Sequence, residues 1–193
     1  MTTSPPERED HLASRPEDAS PGASTLIAPV RFSLRPEVET DAPFRLALFR
    51  ASRGPGWDRV PLPADMLTRI MEQQFHAQTQ GYRAAYPQAR LEIITVDSAP
   101  VGRLATDRGA DALRVVDIAL LAERRGQGIG AAILRALMDE AADAGTPVTL
   151  QVDRDNLTAQ RLYHRLGFVL SAANDTHLTL RWPAPLPTPA GTT

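Results

Sequence analysis

A glycine-rich junction is the part of the sequence whose residue types and spacing are best suited to binding an anion. A mostly apolar run, residues 115–121, is followed by the charged residues 123–125 and then by Gly126, Gly128 and Gly130. Glycines allow backbone amides to approach a ligand closely, and the first turn of a helix presents N–H groups without internal partners. The helix dipole adds partial positive charge there. The junction therefore predicts a phosphate-binding site at a helix N-terminus.

One pattern that fits this junction is that of dinucleotide-binding folds. Gly126, Gly128 and Ala131 satisfy the sequence G-x-G-x-x-G/A, and Asp153 ends a later strand at a suitable distance. In such folds, however, the strand runs directly into the first glycine. Here residues 122–125 intervene and would move the phosphate loop away from the strand. The chain beyond the loop also supplies few of the further parallel β-α units that the fold needs.

A second pattern, R-x-x-G-x-G, is formed by Arg125, Gly128 and Gly130. Further along the chain, residues 156–168, NLTAQRLYHRLGF, form the motif N-x-x-A-x-x-L-Y-x-x-x-G-F. In this order and at this separation, the two motifs resemble those of the GNAT superfamily of N-acetyltransferases. In that superfamily the first motif is the loop that binds the pyrophosphate of an acyl-CoA.

The resemblance implies a fold as well as an activity. It covers residues 91–182 well and residues 30–90 more loosely, and it departs from the family pattern at Ala122, where proline is common. The implied fold is a GNAT-like mixed, mostly antiparallel sheet of six to seven strands flanked by about four helices. The sequence patterns alone predict only an α/β or α+β class.

Hydrophobic patterns predict the element order β-α-α-β-β-β-α-β-α-β-β. Strands are expected at residues 30–34, 91–96, 101–106, 113–121, 148–152, 168–170 and 177–182. Helices are expected from about residue 41, at residues 64–85, at residues 128–144, and from Asn156 as N-cap to Gly167. Arg35 and Pro36 are expected to end the first strand. One face of the second helix is predicted from Met66, Ile70, Gln74 and Gln78.

The resemblance also assigns residues to acetyl-CoA. It places the pyrophosphate on the backbone N–H groups of residues 127–131, with Arg125 adding charge. The peptide-like pantetheine arm is expected to bond alongside the central strand, and one backbone amide there would face the thioester oxygen. The expected cofactor-binding residues are Ile118, Ala119, Leu120, Arg125, Gly126, Gln127, Gly128, Ile129, Gly130, Ala131, Asn156 and Tyr163.

Two residues are expected to act in catalysis. By resemblance, Tyr163 is the general acid that protonates the departing thiolate, because a phenol with an ordinary pKa near 10 stays protonated at neutral pH. Asp117, in the central strand, is the candidate general base, and the resemblance also allows a reaction without a strong base if the amine arrives neutral. The other candidates for a base acting through water are Glu92, Asp153 and His76.

The acyl acceptor is expected to meet the two helices before residue 90, which form much of the acceptor wall in the GNAT pattern. Candidate side chains for its recognition are Trp57, Gln74, Phe75, His76, Gln78, Tyr82 and Tyr86, of which Trp57, Gln74, Gln78 and Tyr82 are preferred. The acceptor itself is expected to be a primary amine of a small molecule or a peptide. The sequence does not distinguish metabolites, antibiotics, peptide N-termini and lysines.

Length and composition limit the remaining possibilities. The 193 residues suit one domain, expected at residues 30–182, between a Pro/Ser/acidic disordered tail at 1–29 and a Pro-rich disordered tail at 183–193. The net charge of −2 gives no general attraction to nucleic acid or to an acidic membrane surface. Neither a membrane-spanning run nor a secretion signal is recognised, so a cytoplasmic protein is expected.

The absence of cysteine excludes disulfides, thiolate metal sites and a cysteine nucleophile. The four histidines, His11, His76, His164 and His177, lack ligand spacing, so no metal is expected. The predicted function is therefore an N-acetyltransferase that uses acetyl-CoA by direct attack of the amine, with a homodimer possible by analogy. The alternative is a catalytically silent CoA-binding sensor or interaction module with the same fold.

Overall fold

The computed structural model of the chain describes residues 30–52 and 61–184. Its strands are β1 (Ser33–Pro36), β2 (Arg90–Val96), β3 (Ala99–Arg108), β4 (Leu113–Leu120), β5 (Val148–Asp153), β6 (Val169–Ala173) and β7 (His177–Trp182). Its helices are α1 (Ala42–Ser52), α2 (Ala64–Ala85), α3 (Ile129–Asp143) and α4 (Leu157–Arg165). The order of strands and helices along the chain is the predicted one.

All seven strands form one sheet in the order β1-β2-β3-β4-β5-β7-β6. Every neighbouring pair is antiparallel except β4 and β5, which are parallel and are joined through α3. A mixed, mostly antiparallel sheet with four helices is the architecture that the resemblance implied. The single parallel pair lies at the centre of the sheet, directly beside the glycine-rich junction.

The main core lies between α3 and the middle of the sheet. Five apolar residues of α3 are buried in it: Ile129, Ile133, Leu134, Leu137 and Ala141. They pack with buried residues of the central strands, Leu104, Leu113, Val115, Val148 and Leu150. The helix ends where Gly145 takes a positive φ of 64°, a conformation that favours glycine. This packing fixes the N-terminus of α3 against the end of β4.

The second helix buries a different face from the one that its sequence pattern predicts. Met66 is 46% exposed, whereas Met71 and Phe75 are buried. The reason is the contact with α1, where the rings of Phe49 and Phe75 lie 5.7 Å apart between centroids. Packing of two helices therefore sets the rotation of α2, and this leaves Gln74 and Gln78 half-buried beside the packed face.

The expected boundary of the first strand is wrong. The strand spans Ser33–Pro36, so Arg35 and Pro36 are part of it. A proline is tolerated here because β1 is an edge strand, and an edge strand leaves half of its N–H groups without a ladder partner. The side chain of Arg35 donates two hydrogen bonds, of 2.7 and 2.8 Å, to Asp41, which lies beyond the strand. These bonds lower the pKa of Asp41 to about 2.

A single glycine allows β3 and β4 to lie close together at the end of the sheet near the junction. A Cβ atom on Gly102 would lie 2.4 Å from the backbone oxygen of Ala119 and 2.7 Å from Leu120 Cδ2. We expect Gly102→Ala to lower the free energy of unfolding by about 1–3 kcal/mol, because β4 must shift to admit the methyl group. Urea unfolding measures this change.

The matched control is the same substitution at Gly81 of α2, where a Cβ atom meets nothing within 4 Å. There alanine should raise the free energy of unfolding by about 0.5–1 kcal/mol, because glycine is a poor helix former. Equal effects of the two substitutions would contradict a close contact between β3 and β4.

Candidate active site

The central strand β4 loses one of its two neighbours partway along its length. It pairs with β5 only through Leu113–Val115, opposite Val148–Leu150. Its pairing with β3 continues to Leu120. Residues 116–120 of β4 therefore have no ladder partner on the β5 side within the described structure. Unpaired backbone N–H and C=O groups on a strand can bind an extended, peptide-like ligand.

An irregularity in β4 determines which way its acidic side chain points. Ala105 pairs with Asp117 whereas the next residue of β3, Thr106, pairs with Val115, so Val116 is an extra residue in β4. Such a bulge shifts the alternation of side chains between the two faces of a sheet. Val115 accordingly packs in the core beneath α3, while Asp117 contacts Arg103 on the opposite face. The chemistry-bearing side chain thus faces the side of α1 and α2.

The glycine-rich loop leads from this strand directly to the N-terminus of α3. Gly126 and Gly128 have φ values of 73° and 82°, which residues with side chains rarely adopt. Gly128 is the N-cap and supplies no side chain to the first-turn N–H groups. These amides are therefore directed outward at the positive end of the helix dipole. This geometry fits a phosphate group, as the sequence predicted.

Two side chains fix the loop, one to the end of β4 and one to the turn that follows it. Arg125 Nε donates to the carbonyl oxygen of Leu120 at 3.0 Å, and Gln127 Nε2 donates to that of Glu123 at 2.7 Å. Within the described part of the chain, no carboxylate forms a salt bridge with Arg125. Its terminal guanidinium nitrogens thus remain available to an anion. Leu120, predicted as a pantetheine contact, has its carbonyl engaged by Arg125.

Helix α4 lies beside the loop and carries two of the predicted residues. Leu162 is 3.8 Å from where a Cβ atom of Gly130 would stand. Asn156 is the N-cap of α4, as predicted, and its Oδ1 accepts a hydrogen bond from Ala159 N at 3.1 Å. The cap engages the oxygen of the Asn156 amide, so any ligand contact falls to its exposed Nδ2.

Tyr163 is buried, with 6% of its surface exposed, and its ring packs 5.7 Å from that of Phe168. Burial, with a smaller contribution from the negative charge of Asp117, raises the pKa of Tyr163 to about 12. Its hydroxyl therefore stays protonated over the whole neutral range. The effect of Asp117 also indicates that the two side chains, from α4 and β4, lie near each other.

Asp117 itself lies in a largely desolvated position, although 27% of its side chain remains exposed. Burial raises its pKa. The charge of Arg103 and a hydrogen bond from it, 3.2 Å from Nη1 to Oδ2, oppose this rise. An exposed edge lets a ligand reach the carboxylate, while its surroundings favour proton uptake.

Tyr82 and Gln78, two residues of the predicted acceptor wall, contact each other on α2. Gln78 Nε2 lies 3.3 Å from the Tyr82 hydroxyl. Burial and the charge of Asp117 raise the pKa of Tyr82 to about 12. Gln74, one turn earlier on α2, has a buried Oε1 that no described residue contacts by a hydrogen bond. Trp57 lies outside the described residues.

A partly open cavity of about 330 Å³ adjoins Tyr82 at the C-terminal end of α2. It is lined by Tyr82, Arg83, Tyr86, Pro87, Ala89 and Leu91. The guanidinium of Arg114 lies 5.4 Å from the centre of the Tyr86 ring. Two tyrosines and one arginine therefore line a space that adjoins Tyr82, and the guanidinium of Arg114 packs on one of these tyrosine rings.

The alternative bases occupy different positions. Glu92 pairs across the sheet with Leu104, which faces α3, so it lies on the opposite face from Asp117 and is excluded as a base there. Asp153 Oδ1 lies 2.9 Å from His177 Nε2, and the negative charge of Asp153 contributes to the raised pKa of Tyr82. His76 is exposed on α2.

The structure also brings forward two residues that the sequence motifs missed. Arg103 Nε lies 2.8 Å from Glu37 Oε2 while its Nη1 binds Asp117. Arg103 is a charged residue inside an otherwise buried strand, and that conflict with the apolar pattern was the one available signal. Glu37 lies in a turn between two elements and gave no signal.

Two further kinds of feature are absent from residues 30–52 and 61–184. No described helix is long and apolar enough to cross a membrane. No three histidine, cysteine or acidic side chains of these residues are grouped so that they could hold a metal ion.

Comparison with known proteins bears on these features. The family profile described as the acetyltransferase (GNAT) family matches residues 64–168. No curated protein matches. Many solved structures are similar, although their sequence identity is low enough that the likeness shows the fold alone.

Three of the similar structures illustrate this. The PaiA N-acetyltransferase from Thermoplasma acidophilum in complex with coenzyme A has a TM-score of 0.59 and 13% identity, covering 78% of this chain and 98% of that one. An acetyltransferase from Thermus thermophilus has a TM-score of 0.58 and 20% identity, covering 80% and 98%. The ribosomal-protein-S18-alanine N-acetyltransferase from Escherichia coli has a TM-score of 0.54 and 20% identity, covering 84% and 100%.

Proposed function

Because the chain belongs to the acetyltransferase (GNAT) family, we propose that it moves an acetyl group from acetyl-CoA to a primary amine by direct attack of the amine. The observation that carries the proposal is the open edge of β4. Residues 116–120 lack a partner on the β5 side and lead directly into the loop at the N-terminus of α3. A ligand with a phosphate end and a peptide-like arm matches both features at once.

The residues around this edge fit acetyl-CoA, which when bound supplies the acetyl thioester and carries away the thiolate. The outward amides at the start of α3 and the terminal guanidinium nitrogens of Arg125 would hold the pyrophosphate. The unpaired backbone near Ile118 would hold the pantetheine arm. A solved neighbour from Thermoplasma acidophilum contains coenzyme A, which supports this assignment.

Two side chains would move protons. Asp117, with its raised pKa and partial exposure, would take a proton from the acceptor ammonium group, because only the neutral amine has a lone pair for attack. Tyr163, protonated at neutral pH, would donate the hydroxyl proton to the departing sulfur. After attack the nitrogen would lose a second proton as the carbon–sulfur bond breaks, and that proton would restore the hydroxyl of Tyr163, so that the proton changes of the transfer balance.

The acceptor would enter from the side of α2. Gln74 Oε1 is a buried acceptor without a partner among the described residues, and such an atom is costly unless a ligand donates to it. Tyr82, which contacts Gln78, lies close enough to Asp117 for the negative charge of Asp117 to raise its pKa. These contacts support an amine of a small molecule or a peptide, the class that the sequence predicted.

The proposal is tested by calorimetric titration with acetyl-CoA, followed by measurement of thiol release with a panel of primary amines. Binding with thiol release for at least one amine supports an acetyltransferase. Binding without release from any amine would support the sensor alternative instead. Failure of the folded protein to bind acetyl-CoA would contradict the proposed ligand.

The role of Asp117 as the general base leads to a prediction. We expect Asp117→Asn to lower kcat/KM at neutral pH by about 10²-fold or more, because an amide cannot accept the proton. In the wild type, kcat/KM should fall as the pH drops through the raised pKa of Asp117, since protonation removes the base. The variant should lose this acidic limb.

The pH dependence of kcat/KM for both proteins measures this effect, and calorimetry with CoA provides the control. CoA affinity should be unchanged because Asp117 faces the acceptor side. An unaltered acidic limb in the variant would contradict Asp117 as the general base.

A further inference from the structure

Four charged side chains form a row of alternating sign that ends at Asp117. Arg45 of α1 binds Glu37 Oε1, Glu37 Oε2 lies 2.8 Å from Arg103 Nε, and Arg103 Nη1 lies 3.2 Å from Asp117 Oδ2. The side chains of Glu37 and Arg103 are 5% and 9% exposed. The row therefore runs through the protein interior from α1 to the central strand.

The backbone fixes both middle members of the row. Arg103 pairs with Ala119 in the sheet, and Ala105 pairs with Asp117, so Arg103 reaches Asp117 diagonally across the two strands. Glu37 directly follows β1, and its N–H donates to the carbonyl oxygen of Leu91 at 2.9 Å. The guanidinium is thus held between two carboxylates that come from different parts of the chain.

Such a row is expected to add little to the free energy of unfolding. Buried ion pairs recover little more than the cost of removing their charges from water, and apolar residues of similar volume often replace them without loss. Arg45 Nε even remains without a hydrogen bond to any described residue. The row does, however, fix the orientation of one partly exposed carboxylate, that of Asp117.

The charges around Asp117 act in opposite directions. Arg103 favours the carboxylate form, whereas burial and the more distant Glu37 favour the protonated acid, and the net effect is a raised pKa of Asp117. Among the described residues, the other groups near it are the hydroxyls of Tyr82 on α2 and Tyr163 on α4, and the backbone N–H of Ile118. Within this part of the chain, Arg103 and Glu37 are therefore the two charged residues that set the balance.

We propose that Arg103 and Glu37 are positioning residues for acetyl transfer: Arg103 orients the Asp117 carboxylate, and Glu37 holds Arg103 so that Asp117 can still take up the acceptor's proton. This inference rests on the proposed function. The proton passes from the acceptor nitrogen to the Asp117 carboxylate and then to water, and the amine keeps its lone pair for attack. Without Glu37, the full charge of Arg103 would act on Asp117 and weaken it as a base.

Substitutions of Arg103 and Glu37 are expected to shift the pKa of Asp117 in opposite directions. Arg103→Gln should move the titration of Asp117 to higher pH, by on the order of one pH unit, because a neighbouring opposite charge is lost. Glu37→Gln should move it to lower pH, because a like charge is lost and Arg103 acts on Asp117 alone. A purely structural role would give no such pair of opposite shifts.

The test is a pH titration of the carbon-13 signal of the Asp117 side-chain carboxyl in the ligand-free protein, with the signal assigned by its absence in Asp117→Asn. Wild type, Arg103→Gln and Glu37→Gln are compared, and circular dichroism checks that each is folded. Should Arg103→Gln unfold, Arg103→Lys replaces it, and a smaller upward shift is expected because lysine lacks the fork that binds both carboxylates.

The acidic limb of kcat/KM should move in the same directions as the NMR titration. Shifts of the same sign in both variants, or none, would overturn the inference. Because the NMR experiment uses no substrate, it is independent of the proposed function. Opposite NMR shifts in a protein that acetylates no amine would refute acetyl transfer while leaving the control of Asp117 by its neighbours established.

Discussion

Replacing Tyr163 by phenylalanine is expected to lower kcat by about 10²–10⁴-fold, the range in which general acid catalysis usually contributes. The substitution removes only the hydroxyl group. The ring that packs against Phe168 at 5.7 Å is retained, so the fold and the shape of the site should be preserved. The departing thiolate would then have to obtain its proton from water.

The pH dependence of kcat provides a second test of this role of Tyr163. The pKa of Tyr163 is about 12 because the hydroxyl is buried and lies near the negative charge of Asp117. The protonated form is the one that donates, so its loss should reduce activity only as the pH approaches that value. Any alkaline limb near pH 8–9 would therefore belong to another group, and Tyr163→Phe should leave that limb in place.

Steady-state thiol release measures kcat, and calorimetry measures CoA affinity, which should change little. The matched control is Tyr82→Phe. Tyr82 also has a pKa of about 12, but its hydroxyl lies beside Gln78 on the acceptor side. Its loss should mainly raise KM for the amine. A Tyr163→Phe variant with normal turnover would reject Tyr163 as the general acid.

Replacing Gly128 by glutamate is expected to weaken CoA binding by at least ~100-fold. A carboxylate placed at the N-cap of α3 would repel the pyrophosphate, and at an intermediate dielectric two like charges about 4 Å apart repel by about 4 kcal/mol. A clash within the protein is a minor factor, since the nearest atom to an added Cβ, in Val30, would be 3.5 Å away. The loss should therefore be electrostatic.

The control is Gly145→Glu, at the other end of the same helix. Gly145 also has a positive φ, 64° compared with 82° at Gly128, and a Cβ atom there meets nothing within 4 Å. Both variants carry the same added charge and similar backbone strain, so both should lose some thermal stability. Only Gly128→Glu should lose affinity in calorimetric titration with CoA. Equal loss in the two variants would falsify the loop as the pyrophosphate site.

The position of the glycine-rich loop and of the helix ends could be predicted from the sequence because they depend on short stretches of chain. Gly128 and Gly145 mark the two ends of α3 by their own conformational freedom, and Asn156 caps α4 with its own side chain. The order of the elements followed from hydrophobic spacing for the same reason. Each of these features is decided within a few neighbouring residues.

The boundary of β1 and the rotation of α2 could not be predicted in this way. Pro36 belongs to a strand only because β1 lies at the edge of the sheet. Met66 is exposed because α2 turns Phe75 toward Phe49 of α1. In both elements, contacts with a segment distant in sequence outweighed the local pattern.

The same distinction, between features set by local sequence and features set by tertiary contacts, applies to the candidate site. By itself the sequence determined which residues are proposed to bind phosphate and to donate a proton, because the glycines of the loop and Tyr163 lie in recognisable motifs. Only the tertiary structure decided the surroundings of Asp117. The bulge at Val116 turns its side chain toward α2, and Glu37 and Arg103, which lie far apart in sequence, meet beside it through the register of the sheet. Register depends on the packing of all the strands together, and no local stretch of sequence contains it.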